Sequence, residues 1–390
     1  MDGKTATDRF LAIADKRVLD NAINELHASF DDVKHEVICS DGSIAVIDAE
    51  SKKMGAKRIN EMSKELTFSY VVFHEWDVID SPYDKDKIAE SIKDFLNGRM
   101  NPTFMLEVKI VEAKVDMNAK SIEVEIGMMV ESEGFRPSLT APDFHIYLII
   151  SADRTAIGYS GVTEYPGPMD PFRVENADPN GKLNRAELKF REAVEFFDID
   201  VFKWRLAIDV GAAPGGWTAA LSRMMCKVVA VDSALLDYDN TFARKTLVIY
   251  GEGDDSMDSY RGKNGVDAEK FRDGLMPLSE YLNGYDVVHL KANVGSPSKN
   301  FDGYLMQLKG ADALVIDSNM APEKNAEIAV RLKGTLKSGA TLVMAIKLFD
   351  NDIAKHIGDV KAALSGNYDR IRVKKLHYNR MELTLAAKRN

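Results

Sequence analysis

The first 160 residues alternate between apolar positions two apart, typical of strands, and apolar positions three to four apart, typical of amphipathic helices. In residues 1–83 this alternation predicts a small α+β domain of ferredoxin-like type with the order βαββαβ. The clearest elements are a strand at Phe10–Ala14, a helix at Val18–Phe30, a hairpin at Val33–Asp48 that turns at Asp41-Gly42, and a helix at Lys57–Leu66. No residue of this block points to chemistry.

Residues 84–162 predict a second mixed α and β domain. The expected elements are a helix at Asp84–Met100 and strands at Phe104–Val111, Ser121–Val130, Phe144–Ile150 and Ala156–Ser160. Residues 121–130 are taken as a strand because their apolar side chains fall on one face at a period of two. Those side chains are Ile122, Val124, Ile126, Met128 and Val130. Residues 163–183 contain four prolines without periodicity and are predicted to form a linker.

From residue 184 to residue 390, helices and strands alternate, which favours an α/β domain built on a parallel sheet. The parallel strands are predicted at Leu206–Val210, Val228–Asp232, Val287–Ala292, Leu314–Asp317 and Thr341–Leu348. Two further segments, Arg370–Leu376 and Glu382–Ala387, predict a terminal antiparallel hairpin. The pattern therefore favours a Rossmann-like sheet, with residues 237–284 as an insertion that includes a flexible acidic loop after Gly251.

The first of these strands leads into the glycine-rich turn Asp209-Val-Gly-Ala-Ala-Pro-Gly-Gly-Trp-Thr218. Gly211, Gly215 and Gly216 permit a close approach of the backbone to a ligand, because a Cβ at these positions would block it. Asp232 ends the second strand, about 20 residues after the turn, where an acid hydrogen-bonds the hydroxyls of a nucleotide-type ribose. The spacing Gly-x-x-x-Gly-Gly differs from the Gly-x-Gly-x-x-Gly of dinucleotide sites. We therefore expect an adenosine-like ligand without a pyrophosphate, and S-adenosylmethionine fits that description.

Composition narrows the class of protein without deciding its partner. Hydrophobic residues make up 45% of the 390 residues, which is enough for packed cores in two or three domains. Cys39 and Cys226 are far apart and the histidines show no ligand spacing, so neither a disulfide nor a metal site is expected. No signal-like or membrane-spanning apolar stretch is present, which favours a cytoplasmic protein without a membrane partner. The net charge of −10 neither supports nor excludes RNA, because binding depends on local patches.

The glycine-rich turn resembles the first motif of FtsJ-type ribose 2′-O-methyltransferases. This resemblance implies transfer of a methyl group from S-adenosylmethionine to a ribose 2′-hydroxyl of RNA. It also implies that Asp232 binds the cofactor ribose. For the adenine contact we choose Asn293, after the third strand, which can pair with the adenine edge but is not the family's usual aspartate. The turn itself would cradle the cofactor through Asp209, Gly211, Pro214, Gly216 and Trp217.

The same resemblance implies a Lys-Asp-Lys-Glu tetrad at the site of methyl transfer. Lys189 ends the string Asn184-Arg-Ala-Glu-Leu-Lys, which is similar to the family's Ser-Arg-Ala-x-x-Lys with asparagine in place of serine. Asp317 and Lys347 end the fourth and fifth strands, and Glu382 begins the last one. We expect Lys347 to handle the hydroxyl proton and Asp317 and Lys189 to position the hydroxyl. Glu382 would orient the lysines, although each residue alone also has an ordinary explanation as a surface, strand-end or ion-pair residue.

Residues 119–127, 139–144 and 156–158 resemble a THUMP domain, which is an RNA-binding module. The domain order is similar to that of bacterial large-subunit rRNA cytidine 2′-O-methyltransferases, so RNA is the expected partner, with rRNA and tRNA both open. The Asn/Asp-Pro-Pro-Tyr/Phe motif of base N-methyltransferases is absent after the fourth strand, where Asp317-Ser-Asn-Met320 stands. The alternative is a non-catalytic RNA-binding or ribosome-assembly factor that keeps the fold, and it predicts a broken tetrad. The sequence carries no signal for the oligomeric state.

Overall fold

The computed structural model describes residues 7–41, 44–52, 56–111, 113–161, 185–238, 245–251, 266–294, 303–350 and 352–390. The chain divides into two compact units, Met1–Gly167 and Pro168–Asn390. The predicted linker 163–183 and Gly42 of the predicted turn lie outside the described residues. Within the described ranges, no helix has the length and apolar character needed to cross a membrane.

The first unit begins with a four-stranded antiparallel sheet in the order β2-β3-β1-β4. Its elements in chain order are β1 (Thr7–Asp15), α1 (Leu19–Ser29), β2 (Lys34–Asp41), β3 (Ile44–Lys52), α2 (Ala56–Glu65) and β4 (Ser69–Phe73). The predicted βαββαβ order is confirmed. The apolar run Phe10–Ala14 lies in β1, where all five side chains are buried.

The first unit contains a second sheet of five strands in the order β5-β9-β8-β6-β7. Its elements are β5 (Glu75–Ile79), α3 (Lys85–Leu96), β6 (Thr103–Ile110), α4 (Ala119–Ser132), β7 (Arg136–Pro137), β8 (Phe144–Ile150) and β9 (Thr155–Gly161). Because β5 pairs with β9, this sheet takes in residues that the sequence places in the block 1–83. Strand β6 is parallel to β8, and β8 is antiparallel to β9.

The predicted strand Ser121–Val130 is wrong, because this segment lies within helix α4. Its fully buried side chains are spaced four apart: Ile122, Ile126 and Val130. The intervening Val124 and Met128 are 52% and 64% exposed, although a strand would place all five on one face. Residues four apart satisfy both a period of two and the helical repeat, so the pattern was ambiguous. Asn118 resolves it, since its Oδ1 accepts from Ser121 N at 2.9 Å and caps the helix.

The second unit is built on a nine-stranded sheet in the order β13-β12-β14-β11-β10-β15-β16-β18-β17. Its strands are β10 (Leu206–Val210), β11 (Lys227–Asp232), β12 (Thr246–Tyr250), β13 (Val266–Lys270), β14 (Val287–Lys291), β15 (Ala311–Ile316), β16 (Leu336–Lys347), β17 (Tyr368–Lys374) and β18 (Glu382–Arg389). Its helices are α5 (Arg185–Phe196), α6 (Gly216–Arg223), α7 (Leu278–Gly284), α8 (Pro322–Leu332) and α9 (Ile353–Leu364). Strands β10 to β16 are parallel, and β18 is antiparallel to both β16 and β17. The predicted α/β sheet with a terminal antiparallel hairpin is confirmed.

The predicted insertion 237–284 adds two parallel strands to this sheet, which the sequence analysis missed. Strand β12 pairs with β14, and β13 forms the edge beyond it. In β13 only Val266 is buried, so this edge strand lacks the apolar pattern that identifies a strand. The acidic run after Gly251 falls on residues 252–265, outside the described part of the chain.

Truncating Ile126 should destabilise the first unit far more than truncating Val124. Ile126→Ala removes a buried side chain and should lower the free energy of unfolding by about 2–4 kcal/mol. Val124→Ala removes a half-exposed β-branched residue from a helix and should be neutral or slightly stabilising. Urea unfolding followed by circular dichroism measures both, and equal losses in the two variants would contradict the helical assignment.

Candidate active site

The candidate site lies where the central strands of the nine-stranded sheet end. The chain runs from β10 outward through β11 on one side, and later returns to β15 and β16 on the other. Such a reversal of strand order opens a crevice at the carboxyl ends of the strands. Asp317 N donates to Val210 O at 3.1 Å and Gly211 N donates to Val231 O at 2.9 Å, so the three strand ends are joined directly.

The structure brings the four tetrad residues into one closed ring of alternating charge. Lys189 Nζ lies 2.5 Å from Asp317 Oδ2 and 3.0 Å from Glu382 Oε1. Lys347 Nζ lies 2.8 Å from Asp317 Oδ1 and 2.5 Å from Glu382 Oε2. Each lysine therefore bridges both carboxylates, and each carboxylate bridges both lysines.

Four different elements supply the ring. Lys189 comes from the middle of α5, whereas Asp317 follows β15, 128 residues later. Lys347 ends β16, and Glu382 begins β18 directly opposite it in the antiparallel register. A residue pair directly opposite across antiparallel strands has its side chains on the same face, which explains why these two meet.

The ring excludes most solvent and balances its own charge. The side chains of Lys189, Asp317 and Glu382 are between 5% and 12% exposed, whereas Lys347 is 16% exposed and is the most accessible member. Burial opposes ionisation of Asp317, but the ammonium groups of Lys189 and Lys347 outweigh it and lower the pKa of this carboxyl. Burial likewise opposes the charge on Lys347, but Asp317 and Glu382 outweigh it and raise the pKa of the amine. In the ligand-free protein Lys347 is therefore an ammonium group.

Gly211 lies against the backbone of Asp317 and Ser318, on the tetrad side of the turn. Its φ of +75° is left-handed, and a Cβ built on it would lie 2.7 Å from Ser318 Cβ and 2.9 Å from Asp317 O. The sequence predicted a close approach to a ligand here, but the group that approaches is the backbone following β15. Gly215, with φ of +119°, is the N-cap of α6, which begins at Gly216.

The opposite side of the turn presents two carboxylates. Asp209 is fully buried, with Oδ2 accepting from Thr218 Oγ1 at 2.6 Å and Oδ1 without a hydrogen-bond partner among the described residues. Burial, together with the nearby Asp317 and Asp232, raises the pKa of Asp209 to about 7. Asp232 accepts from Ala213 N at 3.0 Å with one oxygen and from Ala234 N at 2.8 Å with the other. A carboxylate with one bond per oxygen retains lone pairs for ribose hydroxyls.

The remaining predicted cofactor residues are distributed differently. Trp217 is 3% exposed and packs in the core, with its ring centroid 5.4 Å from that of Phe190, so its side chain acts as packing. Pro214 precedes α6 in the turn. Asn293 follows β14, the strand beside β11, and is exposed, which keeps an adenine contact as a prediction.

Three features of this region fit S-adenosylmethionine. They are the buried Asp209 oxygen without a hydrogen-bond partner among the described residues, the Asp232 carboxylate at the adjoining strand end, and the helix that begins at Gly216. Asp209 and Asp232 would offer acceptors to its amino and ribose hydroxyl groups. No group of three or more metal-ligating side chains occurs in the described ranges.

Sequence reasoning missed two buried side chains, Ser318 and His289, whose hydrogen bonds support these residues. Ser318 Oγ donates to Asn325 Oδ1 at 2.6 Å, which fixes the segment after Asp317 to α8. His289 lies within β14, where burial lowers its pKa to about 4 and keeps the ring neutral. Its Nδ1 accepts from Tyr238 OH at 2.5 Å, and Nε2–H donates to Asp232 O at 3.2 Å. Neither pair has a spacing that marks it in the sequence, because each joins separate elements.

The strand order and the crevice at the strand ends are those of a Rossmann-like α/β sheet. Residues 183–261 match the FtsJ-like methyltransferase family. This match lies wholly within the second unit, which therefore contains a segment similar to FtsJ-like methyltransferases.

Two curated relatives match part of the chain. One is ribosomal RNA large subunit methyltransferase E from Acidiphilium cryptum, which is 41% identical over 91 residues, or 23% of this chain and 38% of the relative. The other is ribosomal RNA large subunit methyltransferase M from Tolumonas auensis, which is 33% identical over 101 residues, or 24% of this chain and 26% of the relative. The chain thus spans between a quarter and two fifths of the length of the relatives it matches.

Solved structures align with this chain only at low structural similarity. The crystal structure of TrmN from Thermus thermophilus aligns over 99% of this chain and 100% of its own, with 12% identity and a TM-score of 0.34. A TM-score this low does not support an inference about either fold or function.

Gly211→Ala should destabilise the second unit and displace Asp317. Alanine at this position combines a left-handed backbone with overlap against the Asp317–Ser318 backbone, so we expect a loss of about 3 kcal/mol or more. Gly274→Ala is the matched control, because Gly274 has φ of +82° with no atom within 4 Å of the added Cβ. The control should lose only about 1 kcal/mol from the backbone conformation. Chemical denaturation compares them, and equal losses would contradict the close approach at Gly211.

Asp209→Asn should stabilise the ligand-free protein above neutral pH. The folded pKa of about 7 lies above the ordinary value of 3.8, so ionising Asp209 costs stability. This cost is absent below about pH 4, grows as the pH rises to 7 and is complete above it, reaching at most about 4 kcal/mol. The variant should therefore gain stability at pH 8 and none at pH 4, and should bind S-adenosylmethionine at least about tenfold more weakly. Thermal unfolding across this pH range and calorimetric titration test both statements, and an unchanged cofactor affinity would remove Asp209 from the cofactor site.

Proposed function

We propose that this protein is an S-adenosylmethionine-dependent RNA ribose 2′-O-methyltransferase that acts on large-subunit rRNA. The observation that carries the proposal is the ring in which Lys189 and Lys347 each lie within 3.0 Å of both Asp317 and Glu382. A structural ion pair needs only one partner for each charge. Two amines shared by two carboxylates beside a cofactor-sized turn instead provide a place to hold and deprotonate a hydroxyl.

The bound cofactor would supply an electrophilic methyl group on a sulfonium, so the protein has to align the hydroxyl and manage its proton. Lys347 is the ring member most open to solvent and would meet the hydroxyl first. As an ammonium group it donates to the hydroxyl oxygen and orients it. As a neutral amine it would accept the hydroxyl proton, and the methyl group would pass from the cofactor sulfur to the hydroxyl oxygen as its bond to sulfur breaks.

The other ring members set the state of Lys347. Asp317 and Glu382 hold its pKa high in the ligand-free protein, so its proton is released only when another positive charge occupies the neighbouring site. Lys189 competes with Lys347 for the same two carboxylates and thereby limits how strongly they retain the Lys347 proton. We expect the rate of methyl transfer to rise with pH, because the neutral amine is the form that accepts a proton.

The RNA partner and the cytoplasmic location are also part of this proposal. Both curated relatives are named for the ribosomal large-subunit RNA, which favours rRNA over the tRNA alternative. The THUMP-like block 84–162 would bind this RNA, and the protein would act in the cytoplasm. A non-catalytic assembly factor is less favoured, because it has no need for four mutually paired charges at the strand ends.

Replacing Lys347 by arginine should abolish turnover while leaving the fold and cofactor binding intact. Arginine keeps the positive charge that the ring needs, but it does not lose a proton in this pH range and so cannot act as the base. We expect a loss of about 10²–10⁴-fold in the rate of methyl transfer, with the affinity for S-adenosylmethionine changed less than about threefold. Lys347→Ala should be equally inactive and less stable, and Lys324→Ala, on the exposed side of α8, is the control.

The measurement is transfer of labelled methyl from S-adenosylmethionine to large-subunit rRNA and to tRNA, each from a strain lacking the gene, followed by digestion to nucleosides. Label in a 2′-O-methylated nucleoside of the rRNA supports the proposal, and label in tRNA alone replaces the substrate. Activity of Lys347→Arg equal to wild type would overturn the role of Lys347. Label on a base would overturn the reaction, and cofactor binding without any transfer would favour the assembly factor.

A further inference from the structure

The turn that precedes Glu382 is held by a second set of buried polar groups, distinct from the tetrad. It comprises residues 375–381, between β17 and β18. Lys375 is fully buried, and its ammonium group donates to Asn379 O and to Arg380 O at 2.7 Å each. Asn379 accepts from Leu376 N at 2.9 Å and contacts Thr384 Oγ1 at 3.1 Å. These bonds fix the conformation of the turn on both sides of its tip.

One carboxylate from outside the hairpin enters this turn. Glu192 is 1% exposed and lies on α5, and its two oxygens accept from two successive backbone amides. His377 N donates to Oε1 at 2.6 Å, and Tyr378 N donates to Oε2 at 2.9 Å. Bonds from backbone N–H groups to a buried carboxylate are charge-assisted and directional, so this contact fixes both distance and orientation.

The position of Glu192 on α5 means that its contact with the turn also links Lys189 to Glu382. Glu192 is three residues after Lys189, so the two side chains lie on the same side of α5, less than one turn apart. Glu382 follows the turn directly. Glu192 therefore connects α5, which carries Lys189, to the turn that leads into Glu382. The Nζ of Lys189 and the Oε1 of Glu382 lie 3.0 Å apart.

A packing role alone does not account for this arrangement. Burial raises the pKa of Glu192 to about 7 despite the two amides and the nearby Lys375, so the site disfavours the charged form. At the same time, the helix already has another anchor, because Glu187 pairs with Arg223 of α6. Glu192 adds a direct link from the lysine-bearing helix to the turn before Glu382.

We propose that Glu192 is a positioning residue that sets the geometry of the tetrad by fixing the turn before Glu382 to the helix that carries Lys189. This inference rests on the proposed function for its effect on rate, but not for its effect on the tetrad itself. Without the Glu192 carboxylate, the turn and Glu382 shift relative to α5. Glu382 then lies farther from Lys189, which competes less for the carboxylates, and the Lys347 proton is released at higher pH.

The test compares Glu192→Gln with Glu195→Gln, a change of the same chemistry at an exposed position one turn along the same helix. The amide that replaces the Glu192 carboxylate accepts only one of the two backbone N–H groups and presents its own N–H to the other. We expect Glu192→Gln to lower the rate of RNA methyl transfer about 10–100-fold while the affinity for S-adenosylmethionine changes less than about threefold. In a Glu382→Gln background the same substitution should cost less than about twofold, because the group it positions is gone.

A readout that needs no activity separates this inference from the proposed function. Titration of Lys347 by NMR with ¹³Cε-labelled lysine, assigned with Lys347→Arg, should give a higher pKa in Glu192→Gln than in wild type and no change in Glu195→Gln. If wild type transfers no methyl to RNA but the titration shifts, the proposed function fails and the positioning role stands. If the titration is unchanged, or if the rate losses of Glu192→Gln and Glu382→Gln multiply, the positioning role is wrong.

A second variant covers the case in which Glu192→Gln does not fold. Thr384→Val keeps the shape of a β18 side chain but removes its contact with Asn379 in the turn. It should raise the pKa of Lys347 in the same direction by a smaller amount. An unchanged Lys347 titration in a folded Thr384→Val protein would show that the turn does not control the tetrad.

Discussion

The alternating ring of two ammonium groups and two carboxylates is the interaction on which the second unit depends. Transfer of four charges from water to a site that is mostly closed to solvent is costly, and a single ion pair rarely recovers that cost. In the ring each charge has two neighbours of opposite sign, which increases the electrostatic attraction without adding net charge. This attraction weakens with distance, so the ring is stable only if four separate elements are held in place.

The fold meets this requirement with short, direct links between strand ends. The antiparallel register places Lys347 opposite Glu382, and Asp317 is bonded through its backbone to the end of β10. The absence of a Cβ at Gly211 lets that backbone pass at van der Waals distance. The glycine turn therefore has two faces, one beside Asp317 of the tetrad and the other beside the carboxylates of Asp209 and Asp232.

The ionisable groups on these two faces respond differently to burial. In the tetrad the opposite charges win, so the pKa of Asp317 falls and that of Lys347 rises. At Asp209 and His289 burial wins, so the pKa of Asp209 rises to about 7 and that of His289 falls to about 4. Groups held in an unfavourable ionisation state are common where a ligand completes the electrostatics.

The sequence by itself determined the class of the second unit. A buried strand that ends in an acid, followed by glycines and a helix, is decided by local chemistry, and apolar runs located all seven strands from β10 to β18 outside the insertion. Local patterns failed where two structures share a period, as in helix α4, whose buried residues are four apart. They also failed at β13, which buries one side chain and so gives no apolar signal.

The family resemblance named the four charges of the tetrad, but only the tertiary structure decided how they pair. Lys189 and Asp317 are separated by 128 residues, and no local rule fixes their distance of 2.5 Å. The contact of Gly211 with Ser318 and the hydrogen bonds of Glu192 could not be predicted from the sequence either, because each partner lies on another element. The physical reason is that side-chain type and spacing specify what a segment becomes, whereas hydrogen bonds and ion pairs between segments depend on strand register and helix placement in three dimensions.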